Sequence, residues 1–145
     1  MDTFETYHRG RSWRDAAAAA VVAMGLAYSV LRWRPFRVEI RGSSMAPALE
    51  AGDWALAVRR RRIRRGDVVV FAHPERPGLE LVKRVVALPG ELAPDGGILE
   101  ADRYWVEGDR AEGSTDSRRF GPVARGAIAA TVRLVYWPPS RRRLL

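Results

Sequence analysis

Residues 42–49 read Gly42-Ser43-Ser44-Met45-Ala46-Pro47-Ala48-Leu49. They follow Phe36-Arg37-Val38-Glu39-Ile40-Arg41, where a period of two puts Phe36, Val38 and Ile40 on one face of an expected strand. Pro47 has no N–H to donate, so it stops any continuing ladder. A hydroxyl pair is therefore expected at a strand end, beside a glycine that lets another backbone come close. Most serines in such turns only bond their own backbone. A nucleophile here needs a base from elsewhere in the chain.

The candidate base is a lysine. One lysine, Lys83, stands among 25 basic residues, the rest being arginine. Arginine stays protonated at any accessible pH, whereas a lysine can be neutralised by burial. Leu79–Leu88 reads as a strand carrying Lys83, with Leu81 on the same face and Val82, Val85 and Val86 close in sequence. To act near neutral pH the amine must drop roughly 2–3 units from ~10.4, a bias of ~3–4 kcal/mol. The competing reading has Lys83 snorkelling to the surface or pairing with Glu80. The chain has no cysteine, which excludes disulfides and thiolate metal sites. The surroundings of His8 and His73 do not suggest ligands, so neither zinc nor a Ser-His-Asp triad is expected, and no cofactor is expected.

A length of 145 residues suggests one domain with a modest core. The expected divisions are a polar segment over 1–15, an anchor over 16–34 and a β-rich domain over 35–145. Ala16–Leu31 is free of charge, flanked by Trp13 and Trp33 with Arg14, Arg32 and Arg34 beside them. As a helix it spans roughly 24 Å, short of the ~30 Å hydrocarbon core. Interfacial aromatics and snorkelling arginines make up such a deficit, so a transmembrane helix is expected. A cleaved signal peptide and a soluble Ala-rich helix are the alternatives. Arginines on both sides leave the orientation open.

Beyond Pro35 the texture is β. Gly52-Asp53, Gly66-Asp67 and Gly108-Asp109 border extended runs and read as turns. A hairpin is expected between 54–58 and 67–72, with the arginines of 59–65 at its tip. That cluster, at a net charge of +8, is read as a solvated loop or a contact for anionic lipid heads. Nucleic acid is not an expected partner, since no aromatic platform or helix-turn-helix surrounds it. Arg103–Glu107 reads as a strand, Gly108–Val123 as a long irregular loop, and Ala127–Trp137 as a final strand. Arg141–Arg143 read as a basic tail.

Taken together, these stretches resemble the boxes of type I signal peptidases. The serine stretch with Gly52-Asp53 resembles their Ser-Met-x-Pro-Thr-Leu box. Gly66–Phe71 resembles the next strand box, and Leu81-Val82-Lys83-Arg84-Val85-Val86-Ala87-Leu88-Pro89-Gly90-Glu91 the lysine box. Gly108-Asp109 through Ser114-Thr115-Asp116-Ser117-Arg118 and Gly121-Pro122-Val123 is similar to the last box, and Tyr136–Arg141 to the common C-terminus. The likeness runs from about Val38 to the end, and the chain looks like a compact member.

The resemblance implies roles. Ser44 would be the nucleophile and Lys83 the general base, then acid. The Ser44 N–H would be one oxyanion donor, and Gly42 occupies the place where some members put a serine as the second. Ser114 would hydrogen-bond Lys83 and orient it, and Asp116 and Arg118 would form a supporting ion pair. Val38, Ile40, Met45, Leu49, Leu81 and Val82 would line small apolar pockets for Ala-x-Ala-type residues before the cut. Ala48 and Arg110 depart from the usual Thr and Asn.

The implied fold is mainly β: an antiparallel domain of two curved sheets behind one N-terminal transmembrane helix. The implied function is removal of signal peptides from exported precursors by a cofactor-free Ser44–Lys83 dyad. Precursors and anionic lipid would be the partners. The implied location is the plasma membrane, single-pass, with the peptidase domain outside the cytoplasm. The alternatives are a maturation protease for one precursor (such as nickel superoxide dismutase), a self-cleaving repressor of the SOS type, and an inactive membrane-bound module with an Arg-rich face.

Overall fold

The computed structural model describes residues 13–33, 35–59 and 62–145. The chain divides into two units at Trp33/Arg34. The first contains helix α1 (Trp13–Trp33), 21 residues long. Alanine, the strongest helix former, fills Ala16–Ala20, and the side chains from Asp15 to Ser29 are exposed. The transmembrane anchor expected over 16–34 is not shown: among the described residues no helix is long and apolar enough to cross a membrane.

The second unit is built on strands β1 (Phe36–Glu39), β2 (Trp54–Val58), β3 (Val68–Ala72), β4 (Glu80–Ala87), β5 (Arg103–Glu107), β6 (Val123–Ala124), β7 (Ile128–Trp137) and β8 (Arg143–Leu144). A four-residue helix, α2 (Ser117–Phe120), lies between β5 and β6. The sheet order is β1-β2-β7-β3-β4-β5-β6, with β8 beside β7, and the pairings are antiparallel. Two expectations change. The strands form one continuous sheet rather than two. And β2 does not pair with β3 as a hairpin, because β7 lies between them, with Val58 and Val69 both opposite Thr131.

One sheet serves two apolar clusters because β3 is buried on both faces. Val68 and Val70 pack with Ile40, Met45, Leu49, Ala55, Ala57 and Val132. Val69 and Phe71 pack on the other side with Ile63, Val85, Val106 and Val123. A strand buried on both faces reads as a continuous apolar run rather than an alternation, and Val68-Val69-Val70-Phe71 is such a run. Met45 and Leu49 anchor the serine turn to the first cluster, so the turn is held by core packing rather than left as a free loop.

Two of the three Gly-Asp pairs act alike. Gly52 and Gly66 adopt positive φ, 93° and 86°, which glycine takes without a Cβ penalty. Asp53 and Asp67 then accept the backbone N–H three residues upstream, from Glu50 and Arg64. The basic tail expected after Trp137 is instead folded: Leu144 pairs with Leu134 and Arg143 with Val135.

Candidate active site

Ser44 lies in the turn after β1, and Lys83 in the middle of β4. Lys83 Nζ donates to Ser44 Oγ at 2.5 Å. Lys83 is 3 % exposed, so it neither snorkels nor reaches for Glu80. Burial pushes its pKa down. The Asp116 carboxylate opposes that shift, Arg118 adds to it, and Asp109 opposes it more weakly, with the net direction downward. Desolvation is thus the leading force toward a neutral amine.

Behind the lysine is a buried polar network centred on Asp116, which has no exposed surface. Asp116 Oδ2 accepts from the Ser114 hydroxyl at 2.5 Å and from the Gly108 N–H at 3.0 Å. Arg118 donates to it through Nε and Nη2, and the Arg118 N–H caps α2 on its Oδ1. Burial alone would raise the Asp116 pKa, but the Arg118 bond and the other donors hold it well below the usual carboxylate range. The expected Asp116–Arg118 pair is thus placed together. The expected Ser114–Lys83 bond is corrected: the Ser114 hydroxyl goes to Asp116, while Lys83 donates to Ser44. Asp116 therefore acts on Lys83 through its charge.

The third Gly-Asp pair has a different task. Gly108 does not have positive φ. It is a contact point: a Cβ there would run into Ser114 Oγ and lie 2.6 Å from the Ser44 carbonyl oxygen. The Arg110 N–H donates to that same Ser44 carbonyl at 2.9 Å, so the loop is held by backbone, and a side chain other than Asn is accommodated. Asp109 receives both Arg84 Nε and Nη2 at 2.7 Å, tying the loop to the residue after Lys83. Arg84 and Asp109 escaped the sequence reading of the site. Their juxtaposition follows from the register of β4 on β5, where Arg84 faces Glu107.

Beside the dyad is a cleft of about 240 Å³ lined by Glu39–Gly42, Ser44, Met45 and Leu79–Lys83. Consecutive residues of an extended chain point to alternate faces, so a wall made of consecutive residues is a strand edge rather than a strand face. The topology agrees. β1 ends the sheet path, and the pairing of β4 with β5 begins only at Arg84. Of the expected pocket residues, Ile40, Met45, Leu81 and Val82 line this cleft. Leu49 and Val38 do not: Leu49 is wholly buried in the core and Val38 packs against it. Gly42 lines the cleft, and a Cβ there would meet nothing within 4 Å. Among the described residues no group of three or more His, Cys, Asp and Glu side chains is placed to hold a metal.

The sequence pattern described as "Signal peptidase, peptidase S26" matches residues 12–94 and 92–137. The chain belongs to this family. It is therefore a serine peptidase, which sets aside the inactive binding module. A mouse (Mus musculus) mitochondrial inner membrane protease subunit 2 is 37% identical over 117 residues, covering 70% of this chain and 67% of the relative. The zebrafish (Danio rerio) subunit 2 is 30% identical over 152 residues, covering 90% and 80%. The Arabidopsis thaliana mitochondrial ATP-independent inner membrane protease subunit 1a is 31% identical over 161 residues, covering 95% of both. These names place the relatives in a mitochondrial inner membrane, so they lend no support to a plasma-membrane location for this chain.

Proposed function

We propose that this signal peptidase family member cleaves signal peptides at a membrane surface with Ser44 as nucleophile and Lys83 as general base. The reading rests on one observation, the bond from a buried lysine to a strand-end serine at the floor of an open cleft. A substrate in extended form would add between the free edges of β1 and β4, main chain supplying affinity and Ile40, Met45, Leu81 and Val82 limiting side-chain size.

In the first step neutral Lys83 takes the Ser44 hydroxyl proton as Oγ bonds to the scissile carbonyl carbon. The Ser44 N–H stabilises the resulting oxyanion. Collapse breaks the C–N bond, and the lysine gives its proton to the departing amine, leaving an acyl-enzyme. Lys83 then takes a proton from water, whose oxygen attacks the ester, and returns it to Ser44. Asp116, held ionised by Arg118, keeps a negative charge near the lysine while it carries the proton.

The exposed Val21, Val22, Met24 and Leu26 of α1 support association of the chain with a bilayer, where precursors arrive. Ser44→Ala and Lys83→Met test the dyad. Purified protein is incubated with a panel of precursors and the cut ends read by mass spectrometry. Cleavage by the wild type and none by either variant is expected; wild-type rates from either variant would falsify the assignment.

A further inference from the structure

The C-terminal segment lies far from Ser44 in sequence, yet its arginines grip the turn that carries it. Arg141 donates through Nε to Asp53 Oδ1 at 2.8 Å and through Nη2 to Asp53 Oδ2 at 3.1 Å. Its Nη1 is 2.9 Å from Glu50. Arg141 Nη2 also donates to the Pro47 carbonyl at 3.4 Å, and Arg143 Nη2 donates to that carbonyl at 2.8 Å. Asp53 is 1 % exposed and also caps the turn by accepting the Glu50 N–H. Pro47, Glu50 and Asp53 all lie on the connection from β1 to β2 that carries Ser44: Pro47 in the turn that begins at Ser44, Glu50 and Asp53 in the next turn, which the Asp53 N–H closes on the Glu50 carbonyl. Pro47 offers no N–H of its own, so its carbonyl is the polar handle available there.

We infer that Arg141, with Arg143, is a positioning residue for the peptidase reaction: it fixes the turn so that Ser44 Oγ stays in line with Lys83. The inference rests on the reading of Ser44 as nucleophile. The fork of a guanidinium matches a carboxylate in two parallel bonds, which a lysine ammonium cannot reproduce. Rigid seating of the turn matters because a misplacement of ~1 Å at a reacting atom can cost about 10²-fold in rate.

The test uses the full chain in detergent and an internally quenched peptide with an Ala-x-Ala site. Arg141→Ala, Arg141→Lys, Arg143→Ala and a Ser44→Ala control are compared by kcat, KM, pH profile and thermal midpoint. Arg141→Ala is expected to lower kcat about tenfold or more with KM within twofold and the pH limb unmoved. Arg141→Lys should recover part of that loss, and Arg143→Ala should lose less. Wild-type kcat per folded molecule in the Arg141 variants, or a loss confined to KM, overturns the inference. Should Arg141→Ala not fold, Arg141→Lys and Arg143→Ala decide on the same criteria. Activity retained by Ser44→Ala would instead remove the underlying reading, so the two failures are told apart.

Discussion

Lys83 Nζ and Ser44 Oγ stand 2.5 Å apart although 39 positions separate the residues. The pair forms because Lys83 is held on β4 by its pairing with Val69 of β3, while the serine turn is pinned to the core by Met45 and Leu49. Replacing Lys83 by Arg keeps the positive charge but removes the capacity to lose it. Lys83→Arg and Lys83→Met are both expected to lower kcat by about 10³-fold or more, measured on the quenched peptide with folding checked by circular dichroism.

The pH dependence follows from the direction of the lysine shift. Burial holds Lys83 below its ordinary 10.5. Below its midpoint the amine keeps its proton and cannot accept that of Ser44, so kcat/KM rises with pH along a limb centred below 10.5. Asp116 opposes the depression. Asp116→Asn removes that opposition, and its residual activity should show the limb displaced to lower pH. A limb that stays fixed or moves up contradicts the electrostatic role.

Asp116 also predicts acid behaviour. Its carboxylate is depressed in the folded state, so its contribution is present above the unfolded value of 3.8 and is lost as pH falls below it. Breaking a buried ion pair costs about 3–5 kcal/mol when the charge left behind is itself buried; Arg118 is partly exposed to solvent, so the cost here is smaller. At pH 7 Asp116→Asn should therefore have a lower urea midpoint than wild type, and the gap should narrow progressively below pH 3.8. A gap independent of pH would count against the ionised carboxylate.

Gly108→Ala places a methyl against Ser114 Oγ and the Ser44 carbonyl. One neighbour is the backbone of Ser44, the proposed nucleophile, and the other bonds Asp116; neither is the far end of a flexible side chain. The expected result is a loss of about 10²-fold in kcat, larger than the accompanying fall in thermal midpoint would explain. Steady-state kinetics beside a melting curve checks this.

The cleft wall offers a specificity test. Val82 lines the cleft and is partly buried. Val82→Phe adds bulk where a substrate side chain would sit, so KM should rise about tenfold while a small ester substrate is still turned over. An unchanged KM for the peptide would place the substrate elsewhere.

The strands and the serine and lysine boxes were legible because each depends on local pattern: period two at Phe36–Ile40, a continuous apolar run at Val68–Phe71, one lysine among arginines. What failed was non-local. Nothing in residues 54–72 announces that Ile128–Trp137 will lie between the two strands. Leu49 and Val38 were expected in the pocket on the family resemblance alone, and no local pattern shows that they turn to the core instead. The three Gly-Asp pairs are identical as dipeptides, yet two set turns by backbone angle and the third is a close-contact point. The C-terminal arginines read as a basic tail, since Asp53, the partner of Arg141, is 88 positions away.

The place of β7 bears on how the molecule comes into being. Ser44 and Lys83 both precede β7 in the chain, and β7 joins β2 to β3. Pairings between distant stretches are slow to form. A chain cut short before β7 would hold Ser44 and Lys83 but lack the strand that joins their two parts of the sheet.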